Sequence, residues 1–199
     1  MSSFLFYTTV LFLIIDPFGK INQLQALMQN IPAKKRKTVL LREMIFALIL
    51  MVVVNFLGEF IFNVLELSRT TLSLAAGVIL FLVAIKILFP ALGGKSAPIG
   101  DEEPYVVPIA IPLIAGPSLL ATIVLFANLE PVFILTLASI FLAWGLALLV
   151  FFAGPYIQRI LGNNGLVAIE RLMGMILMLL AIQRLAEGIQ LFYMAHVVQ

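Results

Sequence analysis

Apolar side chains run through the chain in six long segments, which are separated by short stretches of charged residues, glycine and proline. Each segment comes close to the roughly 20 apolar residues that a helix needs to cross the hydrocarbon core of a bilayer. The pattern therefore predicts an all-α polytopic membrane protein with six transmembrane helices. The predicted spans are Phe4–Ile31, Val39–Asn63, Thr71–Phe89, Tyr105–Asn128, Val132–Ala153 and Leu166–Gly188.

The composition supports a membrane protein and excludes several functional classes. Hydrophobic residues make up 63% of the chain and charged residues 11%, whereas an average soluble domain has roughly 45–50% and about 25%. Too few polar side chains remain to cover a water-facing surface, which excludes soluble enzymes and disordered proteins. The chain has no cysteine and one histidine. No cluster of metal ligands or catalytic groups is visible, so we expect no enzyme activity, metal or cofactor.

The distribution of lysine and arginine predicts the orientation of the spans, because cytoplasmic loops carry an excess of these residues. If the basic loop 34–37 is cytoplasmic, nine Lys and Arg lie on the cytoplasmic side and only Arg69 and Arg184 on the other, with Lys20 inside the first span. Both termini are therefore expected in the periplasm. The net charge of +2 follows from this asymmetry and indicates no nucleic-acid partner.

The glycine and proline register indicates an internal repeat with an offset of 96 to 100 residues. The matched positions are Asp16-Pro17 with Gly116-Pro117, Gly58 with Gly154, and Gly77 with Gly174. Each half has three spans, an odd number, so the halves must cross the membrane in opposite directions, as in many secondary transporters. We expect one membrane domain over 1–199, with repeat one at 1–89, a cytoplasmic linker at 90–104 and repeat two at 105–199.

The first and fourth spans are predicted to be broken near their centres. The first would be about 42 Å long as one helix, against a hydrocarbon core of about 30 Å. Proline removes a helix hydrogen bond and clashes with the preceding turn. Pro is favoured at the first position of a helix, with Asp or Gly before it. Asp16 and Gly116 are therefore expected to cap half-helices that start at Pro17 and Pro117.

Two half-helix N-termini within the membrane would present free N–H groups and partial positive charge to an anion or carboxylate. Asp16 is the most informative residue there, because an acidic group inside a membrane is costly. It is interpreted as a proton carrier, a cation ligand or a counter-ion of Lys20; the alternative is that it only caps its half-helix. The predicted binding residues are Asp16, Pro17, Gly19, Lys20, Asn22, Gly116, Pro117, Ser118 and Thr122.

Charged residues at the start of the second and sixth spans suggest a gate. Glu43 would pair with Arg171 and Glu170 with Arg42, on the cytoplasmic side. The alternative is that these are helix-end charges at the membrane interface. Asn55, inside the second span, is expected to hydrogen-bond to another helix. The repeat-related glycines Gly77 and Gly174 are expected to allow close helix packing.

Several motifs together resemble the MarC family of bacterial inner-membrane proteins, and the resemblance extends over essentially the whole chain. These motifs are Ile15-Asp16-Pro17-Phe18-Gly19, Leu41-Arg42-Glu43, the stretch 76–82, the stretch 103–108, the stretch 111–117 and Glu170-Arg171-Leu172-Met173-Gly174. The resemblance implies the fold of the lysine-exporter-like superfamily of small six-span transporters, which often work as dimers. It also suggests export of amino acids or other small solutes, by analogy of fold only.

The leading hypothesis is a secondary transporter that exports a small, partly anionic or amino-acid-like solute, with proton coupling through Asp16. One alternative is a non-transport role as a membrane assembly partner or a lipid-handling protein, such as a scramblase for anionic lipid. Another is a channel. The expected partners are membrane lipids, a small solute and protons, and a second copy of the chain in a homodimer.

Overall fold

The computed structural model describes residues 2–28, 31–65, 69–89, 114–129 and 132–197. Across these ranges all the regular structure is helical, which confirms the predicted all-α class. The predicted linker at 90–104 and the first part of the fourth predicted span lie outside the described residues. The helices are α1 (Ser2–Ile15), α2 (Ile21–Leu27), α3 (Ala33–Leu65), α4 (Arg69–Leu88), α5 (Pro117–Leu129) and α6 (Phe133–Val197).

Two of these helices contain apolar stretches long enough to cross a membrane, at Lys34–Gly58 and Phe133–Met194. Shorter apolar helices occupy Ser3–Ile15, Ser73–Leu88 and Pro117–Leu129. Large apolar side chains point outward from the two long helices, and Phe56, Leu149 and Leu179 are each more than half exposed. A protein surrounded by water would rarely expose so many large apolar groups, whereas a lipid environment solvates them.

Helix α6 is two helices joined at Gly162, which has φ 64° and ψ 178°. A positive φ is readily adopted only by glycine, so the helix cannot continue through this residue unbroken. We call residues 133–161 the first arm and residues 163–197 the second arm. Ser139 of the first arm bonds to Phe4 of α1, and the second arm approaches Phe6 through Arg184.

The two arms run in opposite directions relative to α1. Along the first arm, Ser139 meets Phe4 and the later Gln158 meets the later Asn22. Along the second arm the order is reversed, because Arg184 meets Phe6 while the earlier Glu170 meets Gly19. The chain therefore turns back at Gly162, between the fifth and sixth predicted spans.

Helix α4 and the second arm pack closely at three glycines. A methyl group added to Gly77 would lie 2.7 Å from Leu185 Cγ, and one added to Gly174 would lie 2.8 Å from Ile87 Cγ2. A methyl on Gly188 would meet Leu74 Cδ2 at 2.8 Å. These distances leave no room for a larger residue, which confirms that Gly77 and Gly174 allow close helix packing.

The second half of helix α1 is largely buried. Its residues Val10, Leu11, Leu13, Ile14 and Ile15 are all buried, whereas Leu5 and Thr9 in the first half are exposed. Towards the end of the helix the buried positions become consecutive, from Leu13 through Asp16. The inner end of α1, where Asp16 lies, is therefore surrounded by protein.

Candidate functional site at the inner end of α1

The break between α1 and α2 is an irregular turn at residues 16–20. Asp16 N donates to Phe12 O at 3.1 Å, as a helix residue would, but the φ of Asp16 is 48°. Few residues other than Gly, Asn and Asp adopt this left-handed conformation at modest cost. The next residue, Pro17, has no N–H to donate, so the helix stops.

The second helix begins at Ile21 and not at Pro17, which corrects the start predicted from the sequence. Lys20 N donates to Asp16 O at 3.2 Å, which closes one turn before the regular helix starts. The carboxylate of Asp16 makes the type of bond expected of a cap, since Gly19 N donates to Asp16 Oδ1 at 3.2 Å. The positive φ at Asp16 changes the direction of the chain, and this turn is needed before α2 can form.

Gly19 brings two carboxyl groups together. A methyl group added at Gly19 would overlap Asp16 Oδ2 and would lie 2.6 Å from Glu170 Cδ. Both carboxyl groups therefore flank the same glycine, one from the turn and one from the second arm of α6. Asp16 is only 5% exposed, and Glu170 is half-buried. A residue with a side chain at position 19 would push these two groups apart.

Two lysines complete the charged cluster. Lys20 interacts electrostatically with Asp16, with Glu170 and with Lys86 of α4. No ion pair of 4 Å or less joins Lys20 to either carboxylate in the part of the chain that the structure describes. We call Asp16, Lys20, Lys86 and Glu170 the charged cluster. Asp16 is buried, Lys20 and Glu170 are partly buried, and Lys86 is exposed. The positive charge of Lys20 lowers the cost of burying the Asp16 carboxylate.

Among the described residues, no ion pair joins Glu43 to Arg171 or Glu170 to Arg42. Arg42 donates from Nε and Nη2 to Oε1 of its neighbour Glu43, at 3.0 and 2.8 Å, and Glu170 lies in the charged cluster. A gate at these residues stays a prediction, but the contact of Glu170 with Gly19 was not foreseen from the sequence. A signal was available, because Glu170 precedes Gly174 by one helix turn and so lies on the same closely packed face of the second arm.

The second proline motif has simpler geometry. Helix α5 starts at Pro117, as the sequence predicts, and Gly116 O accepts bonds from the N–H groups of Leu119 and Leu120. Thr122 Oγ1 donates to Ser118 O at 2.8 Å. These hydrogen bonds all lie within residues 116–122. That the two half-helix ends, at Pro17 and Pro117, meet at one site remains a prediction.

Three other polar residues have different surroundings from those expected. Asn22 Oδ1 accepts a bond from Gln158 Nε2 at 2.9 Å, so its amide links α2 to the first arm. Asn55 is fully buried, and within the described ranges neither polar atom of its amide has a hydrogen-bond partner. The predicted hydrogen bond from Asn55 to another helix is thus wrong for the described residues. Glu43 is also fully buried, with Oε2 unpartnered there.

Comparisons with known proteins agree that the chain is a membrane protein. The sequence model of the MarC family integral membrane proteins matches residues 1–193. A UPF0056 membrane protein of Buchnera aphidicola from Schizaphis graminum is 39% identical over 97% of this chain and 99% of its own. The UPF0056 inner membrane protein YhgN of Escherichia coli K12 is 38% identical over 96% of this chain and 98% of its own. No solved structure matches the chain.

Proposed function

The chain belongs to the MarC family of integral membrane proteins, and on this premise we propose that it is a secondary transporter. It exports a small, partly anionic or amino-acid-like solute across the bacterial inner membrane, with both termini in the periplasm. The observation that carries the proposal is the charged cluster at the interruption between α1 and α2. The cluster contains the buried Asp16, and ionisable groups buried among apolar helices are expensive and mark substrate or ion pathways.

The chemistry of the cluster suits a small zwitterion or anion. Lysine ammonium groups of Lys20 and Lys86 attract a carboxylate, while the carboxylates of Asp16 and Glu170 attract an ammonium group or accept a proton. Because Lys20 makes no ion pair with either carboxylate among the described residues, a solute can bind between these groups without first breaking one. Proton exchange at the two adjacent carboxylates would couple transport to the proton gradient.

An inverted repeat, as found in many secondary transporters, is supported by matched burial in the two halves. The buried α3 residues Leu40, Met44, Ala47 and Met51 have buried counterparts 96 residues later in the first arm. These counterparts are Thr136, Ile140, Ala143 and Ala147. The same face is therefore turned inward in both helices, as expected if each helix occupies the equivalent place in its own half.

The close glycine contacts also support the repeat. Gly77 lies against Leu185, and Gly174, which is 97 residues after Gly77, lies against Leu88. Leu185 is itself 97 residues after Leu88. A two-fold axis requires this exchange, in which residue i of one half meets residue j of the other and j meets i. In the proposed architecture, α4 and the second arm are the third spans of the two halves.

The proposal is tested first by ligand binding. Purified protein in detergent is screened by thermal shift against the common L-amino acids and short mono- and dicarboxylates, since a bound ligand stabilises the folded state. Solutes that stabilise the wild type are then loaded into proteoliposomes, and saturable efflux is measured with and without a pH gradient.

The decisive variant is Asp16→Asn, which keeps the hydrogen bond from Gly19 N and tolerates positive φ but removes the charge. We expect it to fold and to lose transport. Glu187→Gln, at a partly exposed ion pair with Arg184 on the same arm as Glu170, is the control and should transport normally.

Equal transport and equal pH dependence in wild type and Asp16→Asn would overturn the role of Asp16. Flux that does not saturate would indicate a channel, and no flux of any stabilising solute would favour a non-transport role.

A further inference from the structure

A cavity of about 330 Å³ lies between α2, the start of α3 and the end of the first arm of α6. This volume is at the lower end of the range for small-molecule sites. Most of the wall is apolar, and Arg36 and Lys37 also line it. The lining residues are Ile21, Leu24, Gln25, Met28, Arg36, Lys37, Leu40, Phe151, Phe152, Gly154 and Pro155.

The cavity has an exposed part and a buried part. The exposed lining residues include the cations Arg36 and Lys37 and the apolar Phe152 and Pro155, while Ile21 and Leu24 are buried. The exposed lining therefore combines positive charge with apolar surface, and buried apolar side chains continue it. This combination matches an amphiphile with an anionic head and a hydrocarbon tail. A small hydrophilic anion would leave the apolar wall without a partner.

Two further observations indicate an anionic head. Gln25 lines the cavity, and its Nε2 is shielded from solvent without a hydrogen-bond partner among the described residues. The four consecutive cations 34–37 lie at the N-terminal end of α3, where the helix dipole already carries partial positive charge. An amide donor, two cations and a helix start at one place would be stabilised together by a phosphate group.

We propose that this cavity binds an anionic phospholipid of the surrounding bilayer, with the phosphate between Arg36 and Lys37 and part of an acyl chain against Leu24, Phe151 and Phe152. A lipid is the occupant that the observations favour, because the chain is an integral membrane protein and the exposed lining of the cavity combines two cations with the apolar Phe152. Basic clusters next to a membrane helix attract anionic lipid headgroups. This site is distinct from the charged cluster and does not depend on transport.

Native mass spectrometry of the full chain in detergent, titrated with phosphatidylglycerol or phosphatidylcholine of equal chain length, tests the site. The variant Arg36→Gln/Lys37→Gln removes two cations that line the cavity. Lys34→Gln/Lys35→Gln removes the same charge from the same basic run, at residues that do not line it. We expect the first variant to lose about tenfold or more in phosphatidylglycerol affinity and the second to lose less than about threefold.

Arg36 Nε donates to Ile31 O, so the double variant could also disturb the start of α3. Lys37→Gln alone leaves that bond in place and should still lower phosphatidylglycerol affinity by about fivefold. If both double variants lost the same affinity for phosphatidylglycerol, the whole basic run would attract the lipid and the proposed site in the cavity would be overturned. Equal affinity of the wild type for phosphatidylcholine and phosphatidylglycerol would also overturn it. Inorganic phosphate or glycerol phosphate that competes as strongly as the lipid would show a free-anion site instead.

Discussion

The two proline motifs of the chain, at Asp16-Pro17 and at Gly116-Pro117, differ in both geometry and chemistry. The first contains a residue at positive φ and a full turn before α2 begins at Ile21. At the second, α5 begins directly at Pro117. Only the first contains an ionisable side chain. Two similar sequence motifs therefore have different surroundings, because the first places the buried carboxylate of Asp16.

The difference also identifies which residues complete the site. Gly19, three residues after Asp16, lets the second arm of α6 bring Glu170 next to Asp16. At the second proline motif, the hydrogen bond from Thr122 Oγ1 to Ser118 O lies within α5. The buried Asp16 and the carboxyl group beside it therefore meet at the first proline motif, even though Glu170 comes from the second half of the chain.

The largest expected effect on stability comes from Gly19→Ala, which removes the space on which the first proline motif depends. The added methyl overlaps the carboxyl groups of Asp16 and Glu170. We expect a loss of about 1–3 kcal/mol in the free energy of unfolding, as in other overpacked sites. Denaturant titration in detergent measures it.

Gly145→Ala is the matched control, because nothing lies within 4 Å of the added methyl. It should be neutral or slightly stabilising, since alanine favours a helix over glycine. Adding Glu170→Ala to Gly19→Ala should restore part of the lost stability, because the overlapping side chain is gone. If the stability changes of Gly19→Ala and Glu170→Ala simply add in the double variant, then Glu170 is not the group that the new methyl displaces.

The next prediction separates the contribution of the backbone conformation of Asp16 from that of its charge. Asp16→Gly and Asp16→Ala both remove the carboxylate, but only glycine adopts φ 48° without strain. Asp16→Ala should therefore unfold with a free energy about 1–2 kcal/mol lower than Asp16→Gly. Thermal and denaturant unfolding of the two variants, measured side by side, provide the comparison. Equal stability would mean that the positive φ is not maintained in the folded protein.

The smallest effect is expected at the second proline motif. Pro117 occupies the first position of α5, where its missing N–H is not needed. Pro117→Ala should lower the free energy of unfolding by only about 0.4–1 kcal/mol, through the greater freedom of the unfolded chain. Transport by Pro117→Ala should remain close to that of the wild type. A loss of transport as large as that of Asp16→Asn would mean that the second proline motif also forms part of the solute site.

Local patterns predicted the helical segments well and some contacts poorly. The apolar runs and the proline at 117 located helices because hydropathy and a missing N–H act within a few residues. The pairing of Arg42 with Glu43, and not with Glu170, depends on how α3 and α6 are rotated about their axes. One sequence does not contain that information, because many rotations bury a similar amount of apolar surface. The amide of Asn55, which has no hydrogen-bond partner among the described residues, was missed for the same reason.

The sequence by itself determined that this protein is an all-helical membrane protein of the MarC family. These properties follow from average hydropathy and from motifs, which are both local. The tertiary structure alone decided that Glu170 lies beside Asp16 across Gly19, and that a cavity with two cations in its exposed lining lies between α2, α3 and α6. Such contacts join residues far apart in the chain, and only the packing of whole helices determines them.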